Sequence, residues 1–307
     1  MPLPLKVGLA RAKLEGDGNS VRLVTTDDRR VIDDLRFALL LADAADEVTR
    51  PHIGSPIADV VTKADGSPVT PVDLQVEAAL LALIEREWPN DGVLGEEVGS
   101  VRAGARRWIV DGVDGTEAFI AKRPEWSTLI ALEESGVLRV GVVSAPALSS
   151  RWWAASGDGA WGGLASDDRW AKRRRLAVSR QGSLADSNVG VWPPAEALIG
   201  SRQDAALQLA NAVQRNPVLP RARGRSTPSR SSWGSRYPNA GLLVAAGILD
   251  GVVLFGGGPW DHAALAVIVE EAGGRFTDLA GDRRIDTGGV VFSNGLLHDD
   301  LIGSLNV

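Results

Sequence analysis

Cysteine is absent from the 307 residues, which excludes a disulfide framework, a thiolate metal centre and a cysteine nucleophile. Histidine is nearly absent: His52, His262 and His298 are too scattered for a histidine cage or a H-E-x-x-H helix. Long apolar runs are missing as well. No window reaches the roughly 18 apolar residues of a membrane span, and the first residues lack the apolar core of a secretory leader. A cytoplasmic protein with no membrane partner is expected. Positive charge is in deficit, with 33 Lys+Arg against 39 Asp+Glu and a net charge of -6. That sign argues against a nucleic-acid partner, whose binders are basic. Any metal would have to be held by carboxylates, and hard oxygen ligands favour magnesium over zinc.

What is present is ordinary for a globular chain: 44% hydrophobic and 23% charged residues. The length suits one large domain or two halves sharing a core. Residues 1–27 show no clear period and read as an extension. From residue 28 to 49, Ile32, Leu35, Leu39, Ala42 and Ala45 recur at helical spacing. A second helix opens with Thr70 as N-cap, Pro71 at the first position and Asp73 at the third. Val76, Leu80, Leu83, Ile84 and Trp88 share one face, and the turn residues from Pro89 stop it. Strands are expected at 108–110, 127–132, 137–144, 152–155, 160–161, 188–192, 252–255 and 290–293. Helices are expected at 204–215, 239–249 and 261–273, with a short one at the C-terminus. Between Arg202 and Arg236 there are seven arginines and one acid, Asp204, and 217–238 reads as a long loop.

Four stretches carry acids that helix and strand logic does not jointly demand: Thr70–Asp73, Gly95-Glu96-Glu97, the run from Trp108 to Thr116, and Trp260-Asp261-His262. Each has a plain structural reading as a cap, a turn or a solvated loop. The third is the most informative. An apolar strand running into Asp111-x-x-Asp114-Gly115-Thr116 puts two carboxylates at a strand end, beside a turn whose free N–H groups can receive an anion.

These stretches resemble the inositol monophosphatase superfamily of Mg2+-dependent phosphatases. The likeness spans residues 31–301 and rests on WIVDGVDGTEAF at 108–119 together with WDHAA at 260–264. The flanking KADGSPVTPVD, GVLGEE and GVVSAPAL segments look most like the bacterial histidinol-phosphate phosphatase branch. The resemblance implies a layered α/β/α/β/α (α+β) sandwich, a homodimer, and a small-molecule phosphate monoester as substrate. It implies an N-terminal half, 28–182, carrying most metal ligands, and a C-terminal half, 183–307, carrying Asp261 and the substrate wall. It further implies that Glu96, Asp111 and the Val113 carbonyl hold one Mg2+, that Asp111, Asp114 and Asp261 hold a second, and that Glu96 helps hold a weaker third. Asp73, Glu96 and Thr116 take the catalytic positions, and Gly115, Thr116 and Lys63 the phosphate-binding ones.

Three departures bear on the substrate. Gly112 stands where many members have Pro, which should loosen the loop without removing a ligand. Leu254 stands seven residues before Asp261, where inositol- and histidinol-type members usually place a Glu. A site without that acceptor should reject a substrate that relied on it. Leu254, Arg236 and Tyr237 are therefore candidate substrate contacts, and Arg221, Arg223, Arg225 and Arg230 form either a solvated loop or a second anion site. The pocket suggests a specialised biosynthetic phosphatase for a nucleoside 5′-phosphate or an aminocyclitol or sugar phosphate. Histidinol-phosphate phosphatase and inositol-1-monophosphatase are the alternatives, with a bisphosphate phosphatase relative and an inactive sugar-phosphate-binding module as more distant ones.

Overall fold

The computed structural model describes residues 26–165, 173–216 and 237–305. The expectations for the N-terminal extension before residue 26 and for Arg221, Arg223, Arg225, Arg230 and Arg236 lie outside the described residues. The first helix, α1 (Thr26–Thr49), begins two residues earlier than its apolar pattern suggested. Leu35, Leu39, Ala42 and Ala45 are buried as expected, but Ile32 is exposed and Val31 takes its place in the core. A hairpin of β1 (Val61–Thr62) and β2 (Pro68–Val69) leads into α2 (Pro71–Glu87). The Thr70 cap, Pro71 and Asp73 stand as read from the sequence, in a reciprocal capping box.

An eight-stranded sheet follows, built from β3 (Gly92–Gly95), β4 (Gly99–Val101), β5 (Arg106–Asp114), β6 (Ser127–Glu134), β7 (Val137–Ala145), β8 (Ser150–Ala155), β9 (Gly159–Leu164) and β10 (Arg174–Arg175). Their spatial order is β10-β9-β8-β7-β6-β5-β3-β4. A one-turn helix, α3 (Thr116–Ile120), leaves the end of β5. A second sheet holds β11 (Val189–Trp192), β12 (Gly251–Leu254), β13 (Arg275–Thr277) and β14 (Val290–Ser293) in the order β11-β12-β14-β13. Four helices accompany it: α4 (Ser201–Ala212), α5 (Ala240–Ala245), α6 (Pro259–Glu271) and α7 (His298–Leu305). The helix expected over 239–249 stops early because Gly247 turns left-handed at φ 69°.

The strand alternation explains the layers. On β6, Leu129 and Ala131 face α5 and α6, whereas Ile130 and Leu132 face α1 and α2. Trp152 and Trp153 divide in the same way on β8. A large sheet buried on both faces needs helices on both. The second sheet packs its other face on α4 and α7 through Val189, Val191, Leu209 and Leu301. The stack is therefore α1α2, eight strands, α5α6, four strands, α4α7, the layered α/β/α/β/α sandwich. Among the described residues, no helix is long and apolar enough to cross a membrane.

One buried cation ties α1 to the large sheet. Arg151 is fully buried and donates to Asp43 (2.7 Å), Asp46 (2.8 Å) and Ser144 Oγ (3.0 Å). Burial raises the Asp46 carboxyl above its ordinary range, against the opposing pull of Arg151.

Candidate active site

In a regular strand, residues three apart point to opposite faces. Asp111 and Asp114 nevertheless converge, because β5 bulges between them. Asp111 lies opposite Leu129 and Asp114 opposite Ser127, so three steps on β5 match two on β6. Thr128 donates its hydroxyl to the Gly112 carbonyl at 2.9 Å and holds the bulge. Gly112 lies close against α2. A Cβ there would lie 3.0 Å from the Asp73 carbonyl and 3.2 Å from Glu77 and Val76, so its bareness lets β5 pack tightly against α2.

Beside the bulge, β3 runs parallel to β5 with Gly95 opposite Val110, which sets Glu96 next to Asp111. The turn carrying Glu96 is held from below by Glu77 of α2. Its fully buried carboxylate accepts the N–H groups of Glu96 (3.0 Å), Glu97 (2.9 Å) and Val98 (2.8 Å). Lys63, on the β1–β2 turn, donates to Glu96 (2.6 Å) and Glu97 (2.7 Å).

Two helix starts complete the cluster. On α2, Asp73 Oδ2 accepts from the Thr70 N–H (3.0 Å) and hydroxyl (2.5 Å), and its Oδ1 accepts from the Thr116 hydroxyl at 2.9 Å. Thr116 also lies 3.1 Å from the Val113 carbonyl. On α6, Asp261 is the third helical residue, not the cap, and its Oδ2 accepts the Gly258 N–H at 2.7 Å. Asn239 donates to Asp114 Oδ2 (2.7 Å) and Ser127 Oγ (3.1 Å), bridging the two halves of the chain.

Asp111, Asp114 and Asp261 each bring a carboxylate oxygen within 4.8 Å of the others. Asp111 Oδ2 is buried without a hydrogen-bond donor. Its carboxyl is raised well above the ordinary range, first by burial and then by Glu96, Asp114 and Asp261. Glu96 is pushed up to about 7, chiefly by burial, with Lys63 opposing and Asp261 adding to the rise. Burial also raises Asp73, against hydrogen bonds from Thr70 and Thr116. Burial pulls Lys63 down, but its bonds to Glu96 and Glu97 outweigh that and hold its ammonium above the usual value. A carboxylate oxygen with no donor, inside an all-oxygen cluster this crowded, fits a divalent hard cation.

The cleft above the cluster is lined by Glu96, Asp111, Asp114, Gly115, Thr116, Asp261, Arg123, Glu125 and Trp192. Trp192, Gly257 and Asp261 also border a second, mostly apolar pocket walled by Pro193, Pro238, Leu254 and Phe255.

With that geometry in place, the family comparison is decisive: residues 33–306 match the inositol monophosphatase family model. The chain belongs to the inositol monophosphatase family. It is 42% identical to a Mycobacterium tuberculosis histidinol-phosphatase over 89% of this chain and 98% of that one. A Streptomyces coelicolor histidinol-phosphatase is 37% identical over 90% of this chain and 97% of that one. The inositol monophosphatase of Zymomonas mobilis superposes with a TM-score of 0.72 at 26% identity, over 90% and 98% of the two chains. As a member of the inositol monophosphatase family the chain is a phosphoric monoester hydrolase. The family is metal-dependent, generally on Mg2+, and the acidic cluster is in place for it.

Of the residues singled out from sequence, Glu96, Asp111, Val113, Asp114, Gly115, Thr116 and Asp261 share one cleft, with Asp73 bonded to it through Thr116. Leu254 lines the adjoining pocket. Lys63 is ion-paired with Glu96 and Glu97 beside the cleft. Tyr237 is a core residue: it packs on Trp152 at 5.5 Å and its hydroxyl accepts from Arg174 at 3.2 Å. Sequence reasoning missed Glu77, Asn239, Trp192 and Glu125. Glu77 alone had a signal, an acid one turn after Asp73 on a helix otherwise apolar on that side.

Proposed function

We propose that this chain is a Mg2+-dependent phosphomonoesterase whose first substrate to test is histidinol phosphate. The observation that carries this reading is the three-carboxylate cluster at the floor of a cleft that opens, past Trp192, onto an apolar pocket. Similarity to histidinol-phosphatases along almost the whole chain supports the substrate. A flat imidazole ring suits walls of Trp192, Pro193, Leu254 and Phe255. The same walls favour a second reading, a nucleoside 5′-phosphate.

In this reading Glu96, Asp111, Asp114, Asp261 and the Val113 carbonyl would hold two Mg2+, with a weaker third at Glu96. When bound, Mg2+ supplies charge neutralisation for the phosphate and lowers the pKa of water. The protein supplies the base. A water that donates to Thr116 Oγ passes its proton inward as Thr116 donates to Asp73 Oδ1, and burial makes Asp73 the better acceptor. Gly115, held at φ 91° where a side chain would be strained, and Thr116 turn their backbone toward the phosphate. Lys63, paired with Glu96 and Glu97, offsets part of their charge beside the phosphate site. Residues 28–182 supply these groups except Asp261, which comes with residues 183–307. Family membership likewise supports a homodimer and a cytoplasmic location, which sedimentation velocity and cell fractionation check.

The test is phosphate release from histidinol phosphate, AMP, inositol 1-phosphate and sugar phosphates, with and without Mg2+, beside Asp111→Asn. A Mg2+-dependent preference for histidinol phosphate, lost in Asp111→Asn, bears the reading out. A preference for AMP moves the second reading to the front. No release from any ester by protein that binds Mg2+ sinks both.

A further inference from the structure

Resting on the phosphomonoesterase reading, we propose that Glu125 recognises a cationic amine on the leaving alcohol, making this enzyme selective for phosphate esters of amino alcohols. Among the described residues, two carboxylate oxygens are buried with no hydrogen-bond partner: Asp111 Oδ2 and Glu125 Oε2. Both side chains line the same cleft. For Asp111 the missing partner is explained by the cation that its neighbours imply. Glu125 is outside that group, since the carboxylates drawn within 4.8 Å of one another are those of Asp111, Asp114 and Asp261. Its oxygen therefore calls for a different positive donor, delivered by what enters the cleft.

None of the described residues provides one. Arg123 lies two residues away on the same wall, yet neither it nor any other described group donates to Glu125 Oε2. Leaving an anionic acceptor dry and unpaired is unfavourable unless a ligand completes it. Glu125 is also well placed along the chain. Two residues on, Ser127 accepts from Asn239, which in turn holds Asp114, so the Glu125 segment is anchored to the acidic cluster. Leu254, in the adjoining apolar pocket, offers no acid to meet an amine. An apolar or ring-bearing part of the alcohol enters the Leu254 pocket while an ammonium meets Glu125. An ammonium suits this position because it donates up to three hydrogen bonds and no metal coordination sphere is needed.

The test compares histidinol phosphate with the same imidazolyl-propanol phosphate lacking the amine, using the full chain at saturating Mg2+. Wild type should favour the amine-bearing ester in kcat/KM by roughly tenfold or more, the size of one charge-assisted hydrogen bond. In Glu125→Gln that ratio should fall toward one, mainly through KM, and Glu125→Asp should recover part of it. Circular dichroism confirms that the variants fold. A ratio that survives in Glu125→Gln, a wild type with no preference, or an equal loss on both esters with a higher Mg2+ requirement overturns the proposal. Failure of the underlying reading looks different: wild type then releases phosphate from neither ester.

Discussion

Replacing Glu77 by Gln separates stability from metal binding. Its two oxygens accept three backbone N–H groups, one on Oε1 and two on Oε2. A glutamine keeps one acceptor oxygen, so at least one of those bonds is lost and an amide N–H₂ is turned toward a donor. Burial pushes Glu77 up to about 7 from 4.5, against the pull of backbone N–H groups including those of Val98 and Glu97. At pH 8 the buried anion, its hydrogen bonds included, is thus disfavoured by roughly 3 kcal/mol against the neutral acid, a cost glutamine does not incur. Against glutamine stands its amide facing a backbone donor, a cost of about 1–3 kcal/mol. The net change is small, so the melting temperature in EDTA should move by only a few degrees. The Glu96 turn, however, loses its support, and Gly95 beneath it leaves no side chain to substitute: a Cβ there would sit 2.4 Å from Glu77. Groups that orient a ligand typically govern about 10- to 100-fold of metal affinity. Calorimetric titration with Mg2+ should show a loss of that size in Glu77→Gln. Unchanged Mg2+ affinity would refute the reasoning, and so would a variant that simply unfolds in EDTA.

Three other outcomes are expected. Thr116→Val should lower kcat by about 10²- to 10⁴-fold with KM little changed, measured by steady-state phosphate release; an unaltered kcat removes the Thr116–Asp73 relay. Arg151→Met leaves the buried Asp46 to the exposed Arg50 at 3.8 Å and should destabilise the fold by about 3–5 kcal/mol in urea unfolding, whereas a loss under about 1 kcal/mol would show that the network is dispensable. The rise in melting temperature on adding Mg2+ should grow between pH 5 and pH 8. Glu96 and Glu77 titrate upward in the fold, to about 7, so in metal-free protein their contribution is whole below about pH 4.5 and is lost as pH rises through 7. His298, held down to about 4 by burial, works the other way and loses its contribution as pH falls from 6.5, but it does so with and without Mg2+ and cancels in the difference. A pH-independent Mg2+ effect contradicts this assignment.

The layered fold and the acidic cluster were legible in different degrees. Alternating strands such as 127–134 and the Thr70-Pro71-x-Asp73 cap carry their signal locally, so they stand within a residue or two. The bulge in β5 is not local. Asp111, Gly112 and Asp114 are poor strand formers, and the neighbouring strand carries β5 on to Asp114 through the Thr128 bond to the Gly112 carbonyl and the pairing with Ser127. Tertiary context also hid Glu77 and Asn239. A glutamate within a helix and an asparagine at a helix start are both ordinary locally, and what sets them apart is the partner brought from 19 and 125 residues away.

The helices α2 and α6 solve one problem in the same way. Each begins with a cap, a proline and, third, an aspartate: Thr70-Pro71-Val72-Asp73 and Gly258-Pro259-Trp260-Asp261. In each the aspartate Oδ2 accepts the cap N–H, at 3.0 Å and 2.7 Å, so its orientation is set by the helix start itself. The positive end of each helix dipole lowers the cost of an anion there. In both, the bond from the cap N–H is what aims the carboxylate. Asp111 has no such support. It sits on a strand, buried, beside Glu96, Asp114 and Asp261, with an oxygen that receives no donor. A cation should therefore matter unequally across the cluster: its removal should disorder the β5 bulge and the Glu96 turn while the two capped aspartates keep their places, a contrast that amide hydrogen exchange in EDTA against Mg2+ can read at Gly112–Asp114 and at Asp73.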